Sequence, residues 1–278
     1  MLLTLIAALS LGSSLLGCLA GGAFCGLTWL WALPLGFVGG VLGWSVLAFL
    51  FLWGITLPVD PEKPQESDSK FYRTAAALYI EALVTLLQIR IHTEGMEKLP
   101  RTGRFLLVCN HQHLADPVVL LHCFRRSQLA FISKQENRDM FLVGKVMHRL
   151  LCQTLDRDND RSALKTILNC IRILKEDKAS VAVFPEGYTS KDSKLRHFRP
   201  GVFKIAQKTG VPIVVCTIQN TRQILKNAPK LRPTDIELHL VAVVEPETQA
   251  GKTTVEVSDY VYGLMAADLG PENVAQEQ

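Results

Sequence analysis

The first 59 residues of the chain contain no Asp, Glu, Lys, Arg or His, and this feature constrains the fold more than any other. All 30 basic and all 26 acidic residues lie after Val59. A membrane-spanning α-helix takes about 20 apolar residues, so the segment has room for two. It is too long for a signal peptide and lacks the basic start that such a peptide needs. The sequence therefore predicts a hydrophobic membrane anchor over residues 1–58.

A break inside this apolar segment predicts that the anchor is a helical hairpin. Pro34 follows two tryptophans, whose amphipathic indole rings favour the membrane surface. We therefore expect two spans, residues 3–28 and 35–57. One long tilted span, or two helices that enter the bilayer without crossing it, are the alternatives. A hairpin returns both ends to one face, and the basic residues from Lys63 onward predict that this face is cytoplasmic.

The segment PVDPEKPQESDS marks the end of the anchor. It is polar and proline-rich, which prevents a continuous helix, so residues 59–69 are predicted to be a linker. A globular domain over residues 70–267 and an acidic tail over residues 268–278 follow. Without that tail the chain has 30 basic and 23 acidic residues. This mild positive excess suits an anionic membrane surface or an acidic carrier, and it is too small to predict nucleic-acid binding.

From Phe105 onward, short apolar runs of strand length alternate with longer stretches of helical period. Such alternation is typical of an α/β domain. The runs are FLLVC, LAFIS, LLCQTL, SVAVF, VPIVVCTI and IELHLVAVV. We predict a mostly parallel central sheet flanked by helices. The seven cysteines form no CxxC pair and have no regular spacing, so we expect them to be reduced.

Two helices of this domain are predicted from their apolar patterns. Residues 71–89 are apolar with few charges, which fits a helix that lies on the bilayer or covers the core. Residues 162–175 have apolar side chains at spacings of three and four, so one face of this helix is expected to pack on the sheet. The predicted face consists of Leu164, Ile167, Leu168, Ile171 and Leu174.

Polar residues follow four of the predicted strands at the point where each strand ends. Because the carboxyl ends of parallel strands lie at one edge of a sheet, these side chains are expected to face one site. The polar segments are Asn110-His111, Lys134, Asp156-Arg157 and Pro185-Glu186-Gly187.

Within NHQHLADP, His111 and Asp116 are the candidate catalytic pair. A turn from a strand into a helix allows a carboxylate five residues later to reach the imidazole, fix its tautomer and stabilise the imidazolium. His111 is then a general base that acts on a hydroxyl of the substrate. A helix-capping or core histidine is the structural alternative. A metal site with His113 is a further one, but no third or fourth ligand stands at a usual spacing, so we predict no metal.

Three more residues are candidate substrate contacts. The guanidinium fork of Arg157 suits a phosphate, and Lys134 can supply a second positive charge. Glu186 lies in the turn formed by FPEGYTS, where its carboxylate can bind hydroxyl groups of an acceptor. For Arg157 and Glu186, a solvated turn residue is the alternative interpretation.

The motifs NHQHLAD, TLDRDN, FPEGYTS and GVPIVV resemble, in this order, the four blocks of the glycerolipid acyltransferases. The match is closest to the bacterial 1-acyl-glycerol-3-phosphate acyltransferases. The resemblance implies transfer of an acyl group from acyl-CoA or acyl carrier protein to the sn-2 hydroxyl of lysophosphatidic acid, which gives phosphatidic acid. It implies a membrane enzyme with no cofactor besides the acyl donor.

The resemblance also implies a role for each site residue. It makes His111 the base and Asp116 its partner, and places the acceptor phosphate near Lys134 and Arg157. Glu186 and Gly187 are then expected to shape the acceptor site. All four residues, Lys134, Arg157, Glu186 and Gly187, are therefore predicted to bind substrate.

Two departures from the family pattern leave the acceptor open. Tyr188-Thr189 replaces the usual threonine-arginine of the third block, and Val215 replaces a common proline in the fourth. Glycerol-3-phosphate or another lysophospholipid is therefore an alternative acceptor, and a non-catalytic, membrane-anchored lipid-binding protein is a further alternative. Basic residues that can substitute for the missing arginine are Arg196, Arg199 and Lys204.

Overall fold

The computed structural model describes residues 1–155, 160–190 and 192–275. The chain forms two compact units, Met1–Asp60 and Pro61–Gln278. The first unit contains the charge-free segment, and the second contains the sheet and all of the candidate site residues.

The first unit is a pair of apolar helices, α1 (Leu2–Ala20) and α2 (Trp29–Thr56). Both are long and apolar enough to cross a membrane, by length and composition. Small residues let them pack closely: a Cβ atom on Gly40 would come within 2.9 Å of the Cα atom of Ser10. The Ser14 hydroxyl also donates a hydrogen bond to the backbone oxygen of Leu33, at 2.7 Å. The predicted two-helix candidate anchor is thus present.

The position predicted for the break in the anchor is wrong. The chain turns over residues 21–28, where Gly22 adopts a left-handed conformation with φ +66°. Pro34 lies inside α2, only five residues after its first residue. A glycine-rich segment can reverse the chain without strain, whereas one proline near the start of a long apolar helix is tolerated.

Among the residues that the structure describes, the second unit is built on a seven-stranded sheet with the order β1-β7-β6-β2-β5-β3-β4. Every neighbouring pair is parallel except β6 and β7. The mostly parallel α/β fold is therefore confirmed. The strands are β1 (Ile89–Glu94), β2 (Leu106–Cys109), β3 (Leu129–Lys134), β4 (Gln153–Leu155), β5 (Ser180–Val183), β6 (Ile213–Gln219) and β7 (Thr234–Val244).

Two strands differ from the sequence prediction. β1 was not predicted, because the expected helix was drawn through to its first residue, Ile89. Within LLCQTL only the last three residues form β4. Both strands are at the edges of the sheet, where burial is incomplete and the apolar signal of a strand is weak.

Helices cover both faces of the sheet and form two apolar cores. Leu106 and Val108 of β2 pack with α6, α7 and α10 on one face, while Leu107 and Cys109 pack with α3, α4 and α8 on the other. This follows from the period of two in a strand. The helices are α3 (Lys70–Leu86), α4 (Asp116–Cys123), α5 (Val143–Arg149), α6 (Asp160–Lys175), α7 (Lys204–Thr209), α8 (Ile224–Asn227), α9 (Pro246–Gln249) and α10 (Thr254–Leu269).

The helix predicted over residues 162–175 is α6, but its buried face is rotated from the predicted one. Leu164 and Leu168 are 54% and 56% exposed. The other three residues of the predicted face, Ile167, Ile171 and Leu174, do pack on the core. Thr166, Cys170 and Ile173 are buried beside them. Counting only the strongly apolar residues shifted the predicted face, because a threonine and a cysteine form part of the stripe that packs on the sheet.

Helix α3 packs on the core along one side. Ala75, Ala82 and Val84 are buried, while Leu83 and Leu86 are exposed. The predicted acidic tail, residues 268–278, also contacts the domain as far as residue 275. Its residues 273–275 pair with Leu195 through two backbone hydrogen bonds.

Candidate active site

The site begins where β2 ends, because Asn110 fixes that end to β6. Its buried side-chain amide donates to the backbone oxygen of Ile218 at 2.9 Å, and its side-chain oxygen accepts from the backbone N–H of Ile218 at 2.7 Å. The next residue, His111, is therefore held at the carboxyl edge of the sheet, as expected for a ligand site in an α/β fold.

His111 and Asp116 form the predicted pair. Asp116 is the first residue of α4, is completely buried, and lies with Oδ2 2.8 Å from Nδ1 of His111. The same oxygen accepts backbone N–H groups from Gln112 at 2.7 Å and His113 at 2.8 Å. With Nδ1 donating to the carboxylate, Nε2 is the nitrogen that can accept a proton.

The imidazole of His111 stacks on the ring of Phe184. The two ring centroids are 4.1 Å apart and the ring planes differ by 17°. The His111 side chain remains 16% exposed. Asp116 and Phe184 together fix both the tautomer and the plane of the ring, so Nε2 has a defined direction.

Glu186 is buried and joins two backbone segments. One carboxylate oxygen accepts the N–H of His111 at 2.8 Å, and the other accepts the N–H of Arg196 at 3.2 Å. Burial raises the pKa of Glu186 to about 7, although these two hydrogen bonds act in the opposite direction. Because the side chain is buried and each oxygen already accepts one backbone N–H, the geometry favours a role in positioning His111.

Gly187 provides a sharp turn after β5. Its φ is +80°, and a Cβ atom there would come within 2.8 Å of Nε of Arg199. Further along this turn, the N–H of Ser190 donates to the backbone oxygen of His111 at 2.9 Å. The third motif is thus bonded through both Glu186 and Ser190 to the loop between β2 and α4, residues 110–115, which we call the His111 loop.

Arg222 is a site residue that the sequence analysis missed. It follows the carboxyl end of β6, and its guanidinium donates to the backbone oxygen of Ser190 at 2.6 Å. Its Nε is buried and has no partner among the residues that the structure describes. The rule that identified the other candidates, a polar residue just after an apolar run, applies equally to the segment after VPIVVCTI and could have identified it.

Lys134 is at the same edge of the sheet but is not brought into contact with the pair. It ends β3, which is separated from β2 by β5, so about 10 Å of sheet lies between the two strands. The Lys134 side chain is exposed. Arg157 lies outside the described residues, two positions after the end of β4, which is paired with β3.

His113 has a local structural contact. Its Nδ1 accepts the backbone N–H of Ala115 at 3.2 Å. Burial lowers its pKa, and the charge of Asp116 opposes that effect. Across residues 1–155, 160–190 and 192–275, no group of three or more His, Cys, Asp or Glu side chains is placed to hold a metal ion.

Comparison with known sequences gives matches over the segment that forms this site. A family model described as Acyltransferase matches residues 90–219. A chloroplastic 1-acyl-sn-glycerol-3-phosphate acyltransferase of Arabidopsis thaliana is 36% identical over 137 residues, which are 49% of this chain and 38% of that protein. One from Chlamydomonas reinhardtii is 33% identical over 190 residues, 65% of this chain and 53% of that protein. This chain thus spans about half or less of these relatives.

A bacterial relative and a solved structure extend the comparison. A probable 1-acyl-sn-glycerol-3-phosphate acyltransferase of Mycoplasma pneumoniae is 28% identical over 63% of this chain and 64% of its own length. The crystal structure of the 1-acyl-sn-glycerophosphate acyltransferase PlsC from Thermotoga maritima has the same fold. It superposes with a TM-score of 0.61 at 24% identity, over 82% of this chain and 89% of that one. The resemblance carried by the four motifs is therefore confirmed: residues 90–219 match the model of the acyltransferase family, and the fold is shared with PlsC.

Proposed function

We propose that the chain is a 1-acyl-glycerol-3-phosphate O-acyltransferase of phospholipid biosynthesis. It transfers a fatty acyl group from acyl-CoA or acyl carrier protein to the sn-2 hydroxyl of lysophosphatidic acid and produces phosphatidic acid. The observation that carries the proposal is the 2.8 Å contact between His111 Nδ1 and Asp116 Oδ2 at the carboxyl edge of the sheet. The names of the Arabidopsis, Chlamydomonas and Mycoplasma relatives support the same acceptor.

The reaction uses His111 as base and then as acid. Nε2 takes the proton of the acceptor hydroxyl while the hydroxyl oxygen attacks the thioester carbonyl, which gives a tetrahedral oxyanion. Collapse of this species breaks the carbon–sulfur bond, and the leaving thiolate takes the proton back from the imidazolium. Asp116 stabilises the imidazolium between the two steps. No acyl-enzyme forms, and no cofactor besides the acyl donor takes part.

Residues around the pair hold the acceptor. Lys134 and Arg157 provide positive charge for its phosphate. Glu186 fixes the backbone of His111, and Gly187 allows the chain to turn there without a side chain. The Arg222 guanidinium, whose Nε has no partner within the described part of the chain, adds a further cation close to the His111 loop.

The N-terminal helices provide the attachment to a bilayer. We place the enzyme at the cytoplasmic membrane with the catalytic domain on the cytoplasmic side, where the basic residues after the anchor are favoured. Membrane lipids are then both the environment and the source of the acceptor. This arrangement keeps the acyl chain of the lysolipid out of water.

A transfer assay tests the proposal. Purified protein is incubated with labelled acyl-CoA or acyl carrier protein and, separately, with lysophosphatidic acid, glycerol-3-phosphate and other lysophospholipids. We expect transfer to lysophosphatidic acid and loss of transfer in His111→Ala. His92→Ala is the matched control, because His92 also pairs with an aspartate, at 2.9 Å, but is exposed. Full activity of a folded His111→Ala variant would refute the mechanism.

The same panel tests two alternatives. Tyr188, which replaces a threonine of the family pattern, is partly exposed beside the site and favours a different acceptor as the second candidate. Preferred transfer to glycerol-3-phosphate or another lysophospholipid supports that candidate. Transfer to no acceptor supports a non-catalytic lipid-binding protein.

A further inference from the structure

The loop that follows β3 exposes large apolar side chains to solvent. Met140, Phe141 and Val143 are all exposed, and Phe141 is 70% exposed. The loop starts at the carboxyl end of β3 and therefore lies at the same edge of the sheet as His111. A cluster of neighbouring exposed large apolar side chains indicates an interaction surface rather than an ordinary solvent-exposed turn.

The backbone of this loop is strained at the residue after Phe141. Leu142 has φ +60° and ψ −49°, and the N–H of Val143 donates to the backbone oxygen of Phe141 at 2.7 Å. This is a γ-turn of the rare type with positive φ, which is unfavourable for a leucine. Such outliers persist where the surrounding structure enforces them and point to a function.

Packing behind the turn enforces its shape. A Cβ atom on Gly144 would lie 1.9 Å from the backbone oxygen of Arg138, so only glycine fits there. The N–H of Gly144 also donates to the backbone oxygen of Met140 at 2.9 Å. The turn is therefore preformed, and its apolar side chains remain exposed.

The same loop is bonded to the segment that leaves the apolar helices. The guanidinium of Arg138 donates to the backbone oxygen of Pro61 at 3.1 Å and pairs with the carboxylate of Glu62. Pro61 is only five residues after Thr56, the last residue of α2. Five extended residues span at most about 18 Å. A bilayer that holds the end of α2 is therefore within reach of this loop.

From these observations we propose that residues 140–143 form a membrane-docking loop, and that Phe141 inserts into the interfacial region of a lipid bilayer. The segment from Lys134 to Lys145 contains both acidic and basic residues in nearly equal number, so the contact is apolar rather than electrostatic. The proposal does not depend on acyl transfer. It concerns only which part of the catalytic domain touches lipid.

Site-specific fluorescence tests this loop. A polarity-sensitive dye is attached at a single new cysteine in each of three variants, Phe141→Cys, Val143→Cys and Val255→Cys. All three carry Cys25→Ser, which removes an exposed native cysteine, and the Cys25→Ser protein treated with the dye provides the blank. The full chains are reconstituted into phosphatidylethanolamine–phosphatidylglycerol vesicles and recovered by flotation. Val255 is the matched control, because it is exposed and is the second residue of α10. This helix follows the end of β7, which pairs with the start of β6 and so lies at the edge of the sheet opposite His111.

We expect nitroxide-labelled lipids to quench the dyes at 141 and 143 at least about threefold more than the dye at 255, with little change at high salt. Phe141→Asp is expected to lower the quenching at position 143, whereas Phe141→Leu retains it. Equal quenching at 143 and 255, or failure of the chain to float with vesicles, would overturn the proposal. Protection of the dye at 143 from both lipid nitroxide and aqueous iodide would also overturn it, because protein then covers the loop.

Discussion

Replacing Asp116 with asparagine tests the catalytic pair with almost no change in shape. Asp116 Oδ2 accepts three N–H groups, from the His111 ring and from the backbone of Gln112 and His113. Its other oxygen, Oδ1, is buried and has no partner within the described part of the chain. An asparagine can keep its oxygen toward the three donors only by placing its NH₂ group at the Oδ1 position.

The size of the effect follows from this geometry. The misplaced NH₂ is a buried donor without an acceptor, which costs about 1–3 kcal/mol of stability. In the reaction, the neutral amide cannot stabilise the imidazolium of His111. We expect kcat/KM to fall by about 10²–10⁴, which corresponds to about 3–5 kcal/mol of transition-state stabilisation.

The assay is the initial rate of labelled acyl transfer, with thermal unfolding measured in parallel. Asp235→Asn is the matched control, because Asp235 contacts His92 at 2.9 Å and both side chains are about half exposed. That variant is expected to keep its rate within about twofold, since exposed pairs contribute little. If folded Asp116→Asn protein kept its kcat/KM within about tenfold of the parent, the assignment of His111 as a base oriented by a carboxylate would be wrong.

Three further predictions concern residues around the site and the core. Burial raises the pKa of Glu186 from 4.5 to about 7. Between pH 4.5 and about pH 7, the folded chain therefore keeps a proton on Glu186 that the unfolded chain has lost. Stability therefore falls as pH rises from about 4.5 to about 7, and Glu186→Gln, followed by thermal unfolding across this range, is expected to flatten the decline. Gly187→Ala is expected to destabilise the fold by about 1–3 kcal/mol more than Gly103→Ala does. Both glycines have φ near +80°, but only Gly187 has a side chain within contact distance of the new methyl group. Equal losses of unfolding free energy in chemical denaturation would show that backbone strain alone matters. Ile173→Ala is expected to cost about 2–5 kcal/mol and Leu168→Ala less than about 0.5 kcal/mol, since Ile173 is buried and Leu168 is exposed; a larger loss for Leu168→Ala would contradict the observed orientation of α6.

The sequence predicted correctly those elements that are marked by long or continuous apolar segments. The charge-free segment predicted two long apolar helices, and the buried strands of the parallel sheet are continuous apolar runs. The edge strand β1 was missed because it is only partly buried. The predicted face of α6 was wrong at Leu164 and Leu168 because Cys170 and Thr166, which are both buried in the structure, carry little weight in an apolar count.

For the candidate site, too, the sequence decided some features and the tertiary structure decided others. The sequence by itself determined that His111, Lys134 and Glu186 follow strands, and therefore that they lie at one edge of a parallel sheet. Only the tertiary structure decided which of them meet: His111 contacts Asp116 and Glu186, whereas Lys134 is separated by an intervening strand. The order of strands in a sheet depends on crossover connections and long-range packing, which leave no local pattern in the chain. For the same reason, only the folded structure shows the backbone contacts of Glu186 and the closeness of Arg222 to the His111 loop.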